Sequence, residues 1–287
     1  MDTAVLDIAR ALVYLTLLPA AGLPLYHLTA GPVAPLSRGG RRAVSILALL
    51  AALASAFWLV ASVSAMAALP LAGLDRETLV LVAQATPLGL ALVVRLAALA
   101  LLVLTAWSPR MPLTLAAVAG LVALATLAFI GHAGATEGIA GWIHHLSDMI
   151  HLVAAACWLG ALVRFVTGIW RGEPAEAAAR RLAQFAAAGT AIVAILVVTG
   201  VANTILIAGL ALPPCSVWTG LLALKLALFA AMLGFAALNR WRLTPALDRG
   251  ETGAAGRLRR SLSAELACAV GLVGVVAVLG TLDPAGG

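Results

Sequence analysis

Trp142–Gly160 reads WIHHLSDMIHLVAAACWLG, a polar front that gives way to an unbroken apolar run. On an α-helix His144, Asp148 and His151 stand at i, i+4 and i+7 and share one face. His145 lies roughly 100° round the axis, within i+3 reach of Asp148. An apolar helix of this length belongs in a bilayer, where polar side chains are costly and mark function. The remaining sequence reads as the scaffold that holds this face.

The composition agrees. The 287-residue chain is 63% hydrophobic and 10% charged, with a mean hydropathy of +1.08. A soluble domain carries about a quarter charged residues, so this is an integral membrane protein. The first apolar run follows Met1-Asp2-Thr3 without a basic leader, and is expected to remain as a transmembrane helix rather than a cleaved signal. Three widely spaced cysteines, Cys157, Cys215 and Cys268, make neither a disulfide framework nor a CxxC knuckle.

About 20 apolar residues cross a bilayer. Eight segments qualify: 4–26, 43–69, 86–107, 112–132, 142–169, 182–209, 218–241 and 261–282. The short piece Arg76–Ala85 reads as an interfacial helix, cut from the third span by Pro87. The expectation is an all-α polytopic protein, a single bundle domain over 1–287. The formal charge is +6. Thirteen of the 18 cations fall in the loops after spans one, three, five and seven, including Arg38, Arg41, Arg42, Arg110, Arg171, Arg180, Arg181 and the run from Arg240 to Arg260. The positive-inside rule then makes those loops cytoplasmic and both termini external. Topology accounts for the basicity, so nucleic acid is not implied as a partner.

Span three opens TPLGLALVVR, Thr86 to Arg95, and span seven opens VWTGLLALK, Val217 to Lys225. Each has a Thr/Gly entry and a cation about two turns in. This suggests two parallel four-helix repeats, 1–133 and 134–287.

In that topology His132, His144, His145, His151, Asp148, Cys215 and Met66 all fall on the outer side. Imidazole and sulfur suit copper, with thiolate or thioether favouring Cu(I); a carboxylate suits Cu(II) or orients an imidazole from behind. Plainer readings stand beside this one. His144 and His145 are also consistent with solvated interface residues. His132 suits a helix C-terminus, His151 a hydrogen bond to a neighbouring helix, and Met66 and Cys215 packing and a loop. Asp148 is equally suited to an ion pair with Arg95 or Lys225, which lie at similar depth. Glu265 is expected to pair with the inner arginines. Trp142, Trp170, Trp218 and Trp241 fit interfacial belts.

These residues resemble the copper resistance protein D (CopD) family of bacterial inner-membrane proteins. The resemblance rests on Gly131-His132-Ala133, Asp148-x-x-His151-Leu152 and Trp158-Leu159-Gly160. It extends to Thr86-x-x-Gly89 with Arg95, Thr199-Gly200 with Asn203, Gly220 with Lys225, Asn239-Arg240 with Pro245, and Arg259-Arg260 with Glu265. It implies copper handling at the inner membrane, commonly movement of copper across it, with a separate periplasmic CopC-like donor. Carried over by residue, it assigns His132, Asp148 and His151 to copper; His144 and His145 are added by helix geometry alone. No enzyme chemistry is implied. One feature opposes a conduit: no ladder of His, Met or Cys continues inward from the outer cluster. Two rival functions remain, a b-type haem electron carrier held by imidazoles of facing helices, and a metal-free membrane docking subunit.

Overall fold

The computed structural model describes residues 3–29, 36–108, 110–130, 138–210 and 216–283. Among these the chain is helical throughout, with no strand. A bilayer offers no water to backbone groups, so an apolar chain must satisfy them within its own helices.

The helices in order are α1 (Thr3–Thr29), α2 (Arg38–Ala67), α3 (Arg76–Ala85), α4 (Pro87–Trp107), α5 (Leu113–Ala128), α6 (Gly138–Trp170), α7 (Ala175–Ala208), α8 (Val217–Leu238), α9 (Thr244–Asp248) and α10 (Ala254–Leu279). A π-helical segment, Asn239–Leu243, joins α8 to α9. Seven of these helices are long and apolar enough to cross a membrane. The expected span over 112–132 is a described helix of 16 residues, Leu113–Ala128, apolar but short of a full crossing. The expected interfacial piece is α3. Its cap, Asp75, accepts from the Thr78 amide at 2.7 Å, and Pro87 occupies the first turn of α4.

α1 is the central helix, packed against α2, α5, α6 and α10. Small residues let its backbone touch its neighbours, the usual device where lipid supplies no hydrophobic drive. A Cβ on Gly160 would fall on the Gly22 carbonyl, one on Gly22 on the Ala156 carbonyl, and one on Gly120 within 2.9 Å of Ala21. α7 packs on α6, and α8 on α10.

The two ends of the bundle differ. At one, the starts of α1, α6 and α8 meet the ends of α7 and α10. At the other the arginines gather. Glu173 bridges Arg164 at 3.2 Å and Arg181 at 2.9 Å. Arg259 lies 4.8 Å over the Trp170 ring, whose Nε1 donates to Ser263 at 3.2 Å.

Candidate functional site

The i, i+4, i+7 face of α6 points into the bundle. His144, Asp148 and His151 line one cavity of about 190 Å³, together with Arg10 and Tyr14 of α1, Asn203 of α7 and Lys225 of α8. His144 is 1% exposed.

His151 is oriented by its neighbour on α7. The Thr199 hydroxyl donates its single proton to the Ile195 carbonyl at 2.6 Å. It therefore accepts from His151 Nδ1, 2.8 Å away. In the tautomer this arrangement favours, Nδ1 carries the proton and Nε2 keeps the lone pair a metal or a proton donor requires. Gly200 leaves room for the ring: a Cβ there would stand 3.6 Å from its Cε1. Asp148 accepts from Asn203 Nδ2 at 3.3 Å. Lys225 shares the cavity and interacts electrostatically with Asp148, with no direct ion pair between them among the described residues.

His145 is on another face. Its Nδ1 lies 2.6 Å from the Gly141 carbonyl, and its ring packs 4.9 Å from Phe129, the residue that caps α5, and 6.1 Å from Trp142. The roughly 100° offset from His144 separates the two rings. Met66 is 59% exposed at the end of α2 and lines none of this cavity. His132 and Cys215 lie outside the described residues.

Arg95 does not reach Asp148. Its Nε donates to Thr126 Oγ1 at 2.7 Å and its Nη1 to Ser55 Oγ at 3.4 Å, with the guanidinium 5.1 Å over the Trp58 ring. Arg95 and Lys225 each stand eight residues after the first residue of their helices, but α4 turns the Arg95 side chain toward α2 and α5. Glu265 also departs from expectation. It accepts from Trp158 Nε1 at 3.0 Å and Asn239 Nδ2 at 3.1 Å, with no arginine paired to it among the described residues. Trp218, assigned to an interfacial belt, is only 5% exposed and lines the cavity, whereas Trp142, Trp170 and Trp241 are exposed.

The helical face is a ladder rather than a single coordination sphere. Seven residues of helix separate His144 from His151 by about 10 Å of rise. No three His, Cys, Asp or Glu side chains among the described residues stand close enough to share one metal ion. Adjacent steps, such as Asp148 with His151, are what the geometry offers a cation. Arg10 and Tyr14 were not singled out from sequence, because a lone arginine in the first apolar run carries no spacing signal; its burial and its place over Trp58, at 6.0 Å, are tertiary facts.

Comparison with known proteins bears on what this cavity serves. Residues 1–142 match the family described as copper resistance protein D-like, N-terminal domain, and residues 179–279 match copper resistance protein D. Over 215 residues the chain is 39% identical to copper resistance protein D of Pseudomonas syringae pv. tomato, covering 69% of each chain. The chain belongs to the copper resistance protein D family. A second relative, inner membrane protein YebZ of Escherichia coli (strain K12), is 32% identical over 164 residues, 55% of each chain. No solved structure matches. With seven apolar spans and these relatives, this family member is a multi-pass inner-membrane protein. The α6 face falls within 143–178, between the two matched segments.

Proposed function

We propose that this member of the family binds copper along the α6 face, receives it from the periplasmic side and passes it inward. The observation that carries this is the convergence of His144, Asp148 and His151 on one cavity, with Nε2 of His151 left as a lone-pair donor by its Thr199 hydrogen bond. Borderline imidazole and hard carboxylate together suit Cu(II); Cu(I) would need a softer ligand. His132, in the segment before α6, is the candidate that would complete the set beyond the described residues. The positive-inside rule orients the bundle with its arginine end in the cytoplasm and the cavity end outside, which is where a periplasmic copper-binding donor of CopC type would dock. The described residues place no imidazole on a facing helix in this cavity, so they supply no pair of axial ligands for haem.

The test is copper stoichiometry and affinity of the purified protein in detergent, with His132→Ala, Asp148→Asn and His151→Ala. We expect His151→Ala to weaken binding by about a hundredfold, the loss of one ligand and roughly 2.7 kcal/mol. Wild-type affinity in all three variants rejects the assignment. Vesicles loaded with a copper chelator then separate transport from binding: uptake that stops in the same variants supports passage, and binding without uptake restricts the protein to an external site.

A further inference from the structure

A second buried carboxylate lies further along α6, beside Trp158. Glu265 of α10 is 3% exposed and lines a separate cavity of about 610 Å³ between α6, α7, α8 and α10. That cavity runs from Glu265 to Arg240 and Trp241, both exposed at the arginine end. It opens beside the π-helical turn Asn239–Leu243, an element that recurs at functional sites. An ionisable group at such a position in a membrane helix calls for a functional account, and nothing in the copper reading uses it.

The partners of Glu265 are arranged for both of its charge states. Trp158 Nε1 can only donate, so it bonds Oε1 in either charge state, and more strongly when the carboxyl is ionised. Asn239 differs. Its Nδ2 donates to Oε2, while its Oδ1 is buried without any hydrogen-bond partner. Rotating that amide by half a turn presents Oδ1 to Oε2, where it accepts from a carboxyl O–H. The one side chain able to complement both forms thus sits against one oxygen. Few charges compete with it. From the π segment the facing groups are Asn239 and Arg240, and from α6 the Trp158 indole. The α7 and α8 walls contribute no ionisable side chain, and α1 and α9 contribute nothing to the lining. Arg240 is itself engaged with Thr190 Oγ1 at 2.8 Å and the Ala186 carbonyl at 3.3 Å.

We propose that Glu265 is a proton-binding site of the arginine end, taking its proton on Oε2 through the cavity it shares with Arg240. The proton adds to the carboxylate from water at that end and returns the same way; the Asn239 amide turns with it. Trp158 also walls the apolar cavity that continues toward His151 and Lys225, so its indole separates the proton site from the α6 face.

Infrared titration of the metal-free protein in lipid vesicles tests this without reference to copper. Wild type should show a protonated-carboxyl stretch that grows as pH falls and shifts on exchange into heavy water. Glu265→Gln should remove it, and Asp148→Asn should leave it in place. A band that survives Glu265→Gln and disappears in Asp148→Asn puts the proton at the other end and overturns the proposal, as does the absence of any pH-responsive carboxyl. Should Glu265→Gln fail to fold, Trp158→Phe retains the carboxyl and removes one donor. Its midpoint should then differ from wild type, and an unmoved midpoint overturns the proposal equally.

Discussion

Arg95 and Lys225 hold matching stations, each eight residues after the first residue of its helix, Pro87 and Val217. Their surroundings differ in kind. Arg95 is 1% exposed and enclosed by two hydroxyls and an indole, with no carboxylate paired to it among the described residues. Its planar fork can use several partners at once, so it ties α4 to α2 and α5. Lys225 has a single ammonium on a flexible stem, faces a cavity, and shares it with Asp148 and His151. One cation is built into packing; the other is left beside empty volume and titratable side chains. Trp58 touches both regions, carrying Arg95 at 5.1 Å and the cavity residue Arg10 at 6.0 Å.

The contrast can be broken most directly at Arg95. Arg95→Ala leaves a void between Trp58, Ser55 and Thr126 and should cost about 3 kcal/mol, in the range of large-to-small changes in a core. Thermal unfolding in detergent reads this, while copper bound per folded molecule should stay as in wild type. A parallel loss of copper would mean that the two regions are one unit. Next in size is Thr199→Val, which removes the acceptor for His151 Nδ1. Losing an orienting partner of this kind weakens metal binding by about tenfold, measured by competition with a chelator, and the melting temperature should hardly move. Lys225→Ala is expected to act in the opposite sense. Removing a positive charge from the cavity should tighten copper binding on the order of fivefold, a modest Coulomb effect at protein dielectric. Weaker binding would instead make the ammonium a required partner of Asp148.

The smallest effect belongs to a control outside both regions. The Asp75 carboxyl is held below its ordinary range, first by the Thr78 backbone amide and then by the Thr78 side chain. A lowered folded value stabilises the cap fully above the ordinary carboxylate range, and that contribution fades as pH falls through the lowered value. Melting curves against pH should show this small slope in wild type and lose it in Asp75→Asn, with copper binding unchanged.

Much of this was legible before any coordinates. Hydropathy alone marked the membrane class and seven of the long helices, because a bilayer admits few backbone solutions. The 3.6-residue period put His144, Asp148 and His151 on one side of α6 and His145 on another, and the structure keeps that division. Pro87 marked the break between α3 and α4. The partners of buried ions were not legible. Sequence depth made Arg95 and Lys225 interchangeable candidates for Asp148, and assigned Glu265 to arginines. Depth along a helix says nothing of rotation about its axis, and rotation chose Thr126 for one and Trp158 for the other.

The sequence by itself therefore determined the membrane class of the chain and which residues share a helical face, since both depend only on local composition and the pitch of the helix. Tertiary structure alone decided which faces meet. The backbone contacts of Gly22 with Ala156 and Gly160 bring α1 against α6. That approach places Arg10 and Tyr14 in the cavity with His151 and leaves Arg95 outside it. Contacts between helices distant in sequence are set by side-chain volume at the crossing points, a quantity no local pattern encodes.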